Sequence, residues 1–126
     1  MANKTFEKCM TNILKDIEKR SNVAYEDKNS VRRYNAAYHR IFANVRYIED
    51  NYPERMESVV ALIHHPDVLV VRHIAPILLR LNHTSKADKK NAVLALQKLY
   101  DENKFDAVGA TAFRINMKDW AVYLED

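Results

Sequence analysis

The chain has 126 residues and a formal net charge of +3, so it has the size of one domain and carries only a mild basic excess. Apolar residues make up 48% and charged residues 29% of the sequence, which excludes extensive disorder and allows a packed core. A single cysteine excludes an internal disulfide, and a single glycine excludes the glycine-rich turns of hairpins and phosphate-binding loops. The composition therefore predicts an all-α protein.

Apolar residues recur at helical spacing almost throughout the chain, and they divide it into six predicted helices. The first helix covers about 5–19 and the second, which is the longest, about 26–51. The second helix ends because the residue before Pro53 avoids helical backbone angles. Pro53 can then begin a third helix, to about residue 64, since its missing N–H costs nothing at the first helical position.

The fourth predicted helix begins after a break at His65 to Asp67, where the Asp67 carboxylate can accept hydrogen bonds from free backbone N–H groups. Pro76 lies inside this helix, so we expect a kink or a widened turn there. Ser85 is the predicted cap of the fifth helix, which covers about 86–102.

The sixth predicted helix, about 106–124, carries two apolar stripes instead of one. The stripes are Val108, Ala112 and Ile115, and Phe113, Met117, Trp120 and Leu124. So wide an apolar arc predicts that the helix is mostly buried. The glycine at position 109 would allow a neighbouring helix to approach closely.

Six helices with short connections predict helical hairpins. A weak internal repeat supports this arrangement, because Val59-Val60-Ala61-Leu62 and Val93-Leu94-Ala95-Leu96 are offset by 34 positions. We therefore predict one domain over 1–126 with a HEAT/armadillo-like fold, a right-handed stack of about three helical hairpins that forms an α-α superhelix. The alternative is that two unrelated amphipathic hairpins match by chance at this level.

A resemblance to known proteins also indicates a HEAT-like fold. The stretch from His65 to Ala75, HPDVLVVRHIA, resembles the junction and second helix of a HEAT repeat. The region from about Tyr38 to Trp120 resembles the short bacterial proteins grouped as domain of unknown function 2019, whose last helix ends near a tryptophan. Pro76 and the scarcity of glycine depart from that pattern. The resemblance implies a compact HEAT-like fold, supplies no catalytic residues, and implies a link to immunity proteins encoded beside secreted toxins.

Few residues in the sequence suggest catalytic or metal chemistry. His64, His65 and Asp67 are the nearest approach to a metal cluster, but adjacent side chains on a helix point about 100° apart and no third ligand has suitable spacing. Cys9 has no histidine near it in sequence, so we expect a half-buried, inert thiol. The chain has neither a nucleophile elbow nor a phosphate loop. We therefore predict no enzymatic activity, no metal and no cofactor.

Basic and aromatic residues on the second helix form the surface that most suggests a partner. On a helical wheel, Lys28, Arg32, His39 and Arg46 point in one direction, and Arg33, Arg40 and Tyr47 occupy another face. A second surface is expected from Arg72, His73, Arg80 and Arg114 on later helices. Such residues suit an acidic protein or a nucleic-acid backbone. The alternative is a solvated face whose charge is balanced by nearby acids.

These observations predict a non-enzymatic protein-interaction module, with an immunity protein that neutralises a toxin as its most concrete form. The alternative is a nucleic-acid-binding protein that uses the basic stripe of the second helix. The longest apolar run, Ile74 to Leu79, is far shorter than the roughly 20 residues that span a bilayer, and Met1 to Lys8 has no leader pattern. The sequence therefore predicts a cytoplasmic protein.

Overall fold

Every regular element of the structure, a computed structural model that describes residues 4–22 and 26–125, is helical. Residues 1–3, part of the segment without a leader pattern, lie outside the described residues. The described α-helices are α1 (Phe6–Lys19), α2 (Lys28–Asn51), α3 (Met56–Val60), α4 (Val68–Arg80), α5 (Lys86–Asp101) and α6 (Ala107–Trp120). Short 3-10 helices cover Arg20–Asn22, Pro53–Arg55, Ala61–His64 and Ala121–Leu124. The prediction of an all-α protein is confirmed.

The chain divides into two compact units, residues 1–59 and residues 60–126. In the first unit α1 packs along α2, and in the second unit α4 packs along α5. The last 3-10 helix and α6 also pack against α5. The predicted single domain and HEAT-like stack stay predictions.

The core of the first unit follows the apolar periodicity of its two long helices. The buried apolar residues are Phe6, Cys9, Ile13 and Ile17 on α1, and Ala37, Ile41, Val45 and Ile48 on α2. These positions recur every three or four residues, so each set occupies one face of its helix. Burying each of the larger side chains stabilises the fold by about 1.5–3 kcal/mol.

The second unit is organised around α4, which is buried along most of its length. The buried residues of α4 are Val70, Val71, Ile74, Ala75, Ile77, Leu78 and Leu79. Its helical conformation continues through Pro76, although proline offers no N–H to the carbonyl one turn earlier. On α5 the buried residues are Ala92, Val93, Leu96 and Leu99.

Each of the five long helices begins with a side-chain cap. The capping residues are Thr5, Asp27, Asp67, Ser85 and Asp106, whose side-chain oxygens accept hydrogen bonds from backbone N–H groups of the first turn. The predicted caps Asp67 and Ser85 are confirmed. Because three of the caps are aspartates, they also place negative charge at the positive end of the helix dipole.

The predicted third helix, 53–64, is not one helix. Only the five residues Met56–Val60 are α-helical, and a 3-10 helix lies on each side of them. The repeat pairs each residue with the one 34 positions later. Ala61 and Leu62, which are in a 3-10 helix, are therefore paired with Ala95 and Leu96 in the interior of α5. The internal repeat is therefore not reproduced as equivalent secondary structure.

The turn between α5 and α6 takes the left-handed conformation without glycine. Asn103 has φ 58°, its N–H donates to the carbonyl of Tyr100, and the N–H of Lys104 donates to that of Leu99. This pair of hydrogen bonds is a Schellman motif, and asparagine is the non-glycine residue that most readily accepts its left-handed position.

The left-handed φ at position 103 predicts that two substitutions there change the free energy of unfolding in opposite directions. We expect Asn103→Gly to stabilise the protein by up to about 1 kcal/mol, since glycine adopts this conformation without a Cβ penalty. Asn103→Ala should destabilise it by about 1 kcal/mol. Urea unfolding of both variants measures these changes, and equal effects of the two would contradict the assigned geometry.

The structure corrects the prediction that the sixth helix is mostly buried. In α6 only Phe113 is buried, and its ring stacks on Tyr100 at 4.8 Å between centroids and on Phe105 at 5.8 Å. The other stripe faces solvent, with Val108 73% exposed and Ile115 62% exposed. One apolar stripe of α6 therefore packs inward within the second unit, and the second stripe faces solvent.

Candidate functional site

Six of the seven α2 residues singled out in the sequence are exposed, and only Tyr47 is not. The exposed six are Lys28, Arg32, Arg33, His39, Arg40 and Arg46. Residues seven positions apart lie about two turns apart on the same side of a helix, so His39 follows Arg32 and Arg46 follows His39 along one line. We call Arg32, His39 and Arg46, together with Arg33, which lies about 100° away around the helix, the α2 basic face. Its geometry presents cationic groups over about 14 residues of helix.

Arg40 has an internal role instead. Its Nε donates to both carboxylate oxygens of Asp16, at 3.1 and 3.2 Å, and its Nη2 donates to one of them at 2.9 Å. The Asp16 side chain is only 6% exposed, whereas that of Arg40 is 49% exposed. The hydrogen bonds to Asp16 raise the pKa of the Arg40 guanidinium. Arg40 thus joins α2 to α1 and compensates a buried charge.

Tyr47 also serves the packing of the first unit. Its hydroxyl accepts from the backbone N–H of Lys4 at 3.2 Å, and its ring lies 6.4 Å from that of Tyr52. The Tyr52 hydroxyl donates to the Lys4 carbonyl at 2.6 Å, and burial raises its pKa. The two tyrosines therefore fix the segment that precedes α1, which explains why Tyr47 is half-buried.

The first unit contains a cation–π cluster of one arginine and two tyrosines that was not predicted from the sequence. The Arg20 guanidinium lies over the rings of Tyr34 and Tyr38, 3.9 and 4.9 Å from their centroids. Cation–π contacts of this kind contribute about 0.5–2 kcal/mol. Arg20 therefore packs against both half-buried tyrosines.

Arg72 lies in the second unit, where it joins α4 to the start of α6. Its Nη2 is 3.7 Å from a carboxylate oxygen of Asp106, the α6 cap, and its guanidinium lies 5.3 Å from the Phe105 ring centroid. A Cβ on Gly109 would come within 2.9 Å of this Nη2. The only glycine of the chain therefore leaves room for an arginine side chain from α4 at the first turn of α6.

The structure brings together only two of the four residues expected to share a surface on the later helices. Arg72 and Arg80 line one groove of about 190 Å³, together with Trp120. His73 makes a 2.7 Å contact from Nδ1 to the carbonyl of Leu69 on its own helix. Arg114 donates to the hydroxyl of Tyr100 at 3.1 Å. Neither His73 nor Arg114 lines the groove.

Three lysines, Lys86, Lys89 and Lys90, lie at the start of α5, and Lys89 takes part in the packing of the second unit. The Lys89 Nζ lies 5.3 Å from the ring centroid of Tyr123, which belongs to the last 3-10 helix. A lysine in the first turn of a helix is at the unfavourable end of the helix dipole, and this aromatic contact offsets that cost.

Cys9 is more deeply buried than expected. The residue has no exposed surface, and this burial raises the pKa of its thiol, while the charge of Lys4 acts in the opposite direction. Within residues 4–22 and 26–125, no three or more histidine, cysteine, aspartate or glutamate side chains come together as a metal site. In the same ranges, no helix has the length and hydropathy needed to cross a membrane.

Burial of the Cys9 thiol predicts its reactivity. We expect Ellman's reagent at about pH 8 to label the native protein at least about a hundredfold more slowly than the guanidinium-unfolded chain, because the attacking thiolate is disfavoured and inaccessible in the fold. Absorbance of the released thionitrobenzoate measures both rates. Comparable rates would show that α1 separates from α2 readily or that Cys9 is not enclosed.

The outward stripe of α6 is a surface that the apolar pattern did not identify as exposed. Val108 and Ile115 of α6 and Val122 of the 3-10 helix that follows it occur at intervals of seven residues, and Val122 is 55% exposed. With the exposed Ala112, these three residues form what we call the α6 stripe. Exposed apolar residues that share one side of a helix are a candidate for a protein contact surface, because large exposed apolar patches mark such surfaces.

Comparison with known proteins adds no family to this description: no family model matches the chain, and neither a curated protein nor a solved structure is significantly similar to it.

Proposed function

We propose that this protein is a non-enzymatic protein-interaction module of HEAT-like fold, related to the bacterial proteins of domain of unknown function 2019 and active in the cytoplasm. Its most concrete form is an immunity protein that neutralises a partner toxin, as the resemblance of His65 to Ala75 and of the region ending at Trp120 implies. The proposed partner is another protein, and no metal, cofactor or membrane takes part.

The observation that carries the proposal is the α6 stripe. A row of valine and isoleucine side chains in water is unfavourable by about 25 cal/mol for each Å² of apolar surface, and a partner protein that covers the row recovers this free energy. A nucleic-acid backbone or bulk solvent offers no such gain. The α2 basic face adds charge that would speed the encounter with an acidic partner.

The α6 stripe provides the first test. We expect the wild-type protein to form a stable complex with the toxin encoded beside it and to neutralise that toxin. Ile115→Glu should lower the affinity at least about thirtyfold, because hot-spot substitutions cost about 2 kcal/mol or more. Leu94→Glu, an exposed apolar position on α5 outside the stripe, is the matched control and should bind as wild type does. Calorimetry of the purified pair gives both affinities.

Charge reversal tests the α2 basic face separately. The double variant Arg32→Glu, Arg33→Glu should lower the association rate at least about tenfold at low salt, with little change in unfolding. Lys8→Glu with Lys15→Glu makes the same change of net charge on exposed positions of α1 and should leave the rate nearly unchanged. If the Ile115→Glu variant and the α2 double variant both still neutralise the toxin, the proposed surfaces are contradicted. If the wild-type protein is inert toward the adjacent toxin, the immunity role is excluded.

Nucleic-acid binding is the second candidate, because the exposed Arg32, Arg33 and Arg46 lie on one helix. It predicts an electrophoretic shift at about 50 mM salt and an affinity that falls steeply as salt rises. The absence of a shift at that salt concentration would exclude it.

A further inference from the structure

The second unit has a further groove, of about 530 Å³, between α5 and the segment that leads into α4. This volume is within the range of about 300–1,000 Å³ that is usual for ligand sites. Because only the loop 81–85 joins α4 to α5 and the two helices pack together, they run antiparallel. The start of α4 therefore lies near the end of α5, and the groove lies at this open end of the hairpin. We call it the α4–α5 groove.

The apolar lining of the α4–α5 groove is aliphatic. Ile63, Val71 and Leu99 line it as buried side chains, and Leu94 of α5 lines it with 44% of its surface exposed. The remaining apolar lining residues are Pro66, Val68 and Ala95. No phenylalanine, tyrosine or tryptophan is among the described residues that line the groove. The walls therefore suit an alkyl chain better than an aromatic ring, which would gain from stacking on other rings.

Cationic side chains line the end of the groove at the last turn of α5. They belong to Lys98 and Lys104, and within the described residues neither ammonium group makes a hydrogen bond or an ion pair. Glu102 also lines this end and is the only acidic residue among the described lining residues. Two ammonium groups and one carboxylate leave a net positive charge there, which favours one anionic group on a ligand.

The wall opposite α5 supplies a hydrogen-bond donor. His64 and His65 line it, and the Nδ1 of His65 accepts from the backbone N–H of Asp67 at 3.0 Å. The neutral His65 ring therefore carries its proton on Nε2, where it can donate a hydrogen bond and cannot accept one. This wall consequently favours a ligand group that accepts hydrogen bonds, such as a carboxylate, over an ammonium group.

We propose that the α4–α5 groove binds a free medium-chain carboxylate, which is a single alkyl chain that ends in one carboxylate group. The carboxylate lies between Lys98 and Lys104, and the alkyl chain lies against Val68, Val71 and Leu94. Residues 91–102 of α5 span about 16 Å at about 1.5 Å per residue, which accommodates a chain of about eight to ten carbons. The site is independent of the α2 basic face, of the α6 stripe and of any protein partner.

Isothermal titration calorimetry of the full-length protein with octanoate, below the concentration at which it forms micelles, tests the proposal. Octanamide lacks the charge of octanoate, octylamine reverses it, and butyrate shortens the chain. We expect one octanoate to bind per chain, at least about tenfold more tightly than each control, because the controls lose the charge-assisted contact or the apolar burial. Equal affinities for octanoate and octylamine, more than one octanoate per chain, or no saturable binding would each overturn the proposal.

Substitutions locate the site. The double variant Lys98→Gln, Lys104→Gln should lower the affinity for octanoate at least about tenfold and remove the preference over octanamide. Lys86→Gln with Lys118→Gln makes the same change of net charge at exposed lysines outside the groove and should bind as wild type does. Circular dichroism verifies that each variant folds. A folded Lys98→Gln, Lys104→Gln protein that binds octanoate as tightly as wild type would overturn the proposal.

Two other occupants of the groove would give different results. An acidic amphipathic peptide of leucine, alanine and glutamate, about four helical turns long, would bind more tightly than octanoate if the groove receives a partner helix. Sedimentation equilibrium would show a dimer, dissociated by Leu94→Glu, if a second copy of the chain occupies the groove. Either result would overturn the assignment of a free carboxylate, and we expect neither.

Discussion

Phe113→Ala should destabilise the second unit by about 3–5 kcal/mol, the usual loss for a buried phenylalanine. Phe113 is the only buried residue of α6, and its ring contacts aromatic rings on both sides, including that of Trp120 at 6.4 Å. Its removal leaves a cavity where α6 packs against α5. Urea unfolding followed by Trp120 fluorescence measures the loss, and a red-shifted emission before the main transition would show α6 separating first.

Ile115→Ala is the matched control for that experiment, because it removes a large apolar side chain from an exposed position two residues along the same helix. We expect a change within about 0.5 kcal/mol, as for other surface substitutions. A loss comparable to that of Phe113→Ala would mean that the α6 stripe is covered within the protein itself, and it would remove the main support for a protein partner.

Arg40→Ala should destabilise the first unit by about 2–3 kcal/mol. Removing one partner of a buried ion pair leaves an uncompensated charge, which costs 3–5 kcal/mol when the burial is complete. The lower figure is expected because Arg40 is half exposed and because Lys19 Nζ lies 3.8 Å from the same Asp16 oxygen. Thermal unfolding followed by circular dichroism measures the change.

Arg33→Ala serves as the control for Arg40→Ala, since it removes an exposed arginine from the same helix and should change stability by no more than about 0.5 kcal/mol. A double-mutant cycle of Arg40→Ala with Asp16→Asn should give a coupling energy of at least about 1 kcal/mol. Equal effects of the two arginine substitutions, or a coupling near zero, would show that Arg40 contributes no more than a solvated charge.

The separate roles of the α2 cations have a practical consequence for mapping an interface. Substituting Arg40 or Tyr47 would lower binding by disturbing the first unit, even if neither residue touches a partner. Arg32, Arg33 and Arg46 are exposed on the same helix and avoid this ambiguity. Loss of binding at these three positions, with unchanged unfolding, is the result that would implicate α2 in recognition.

The amino-acid sequence by itself determined the features that depend on neighbours in the chain. Scarcity of glycine and helical periodicity predicted an all-α protein, and Asp67 and Ser85 were identified as caps from their positions. These features arise within one or two helical turns, so periodicity and capping chemistry suffice to predict them.

The internal role of Arg40 has a counterpart signal in the sequence, at Asp16. Asp16 falls on the apolar face of α1, beside Ile13 and Ile17, and a carboxylate in that position requires a cation from another helix. The sequence thus indicated that an arginine or lysine would be engaged there. It did not indicate which one, since Arg40 lies 24 residues away and the pairing depends on how α1 and α2 align.

Only the tertiary structure decided which faces are covered and which side chains meet. Periodicity shows that Phe113 and Ile115 belong to different stripes of α6, but not that α5 covers the first stripe and leaves the second in solvent. The groove that joins Arg80 to Trp120 likewise depends on the separation of α4 from α6. Packing between helices depends on contacts among residues that are distant in the chain, and the periodicity of a sequence does not specify those contacts.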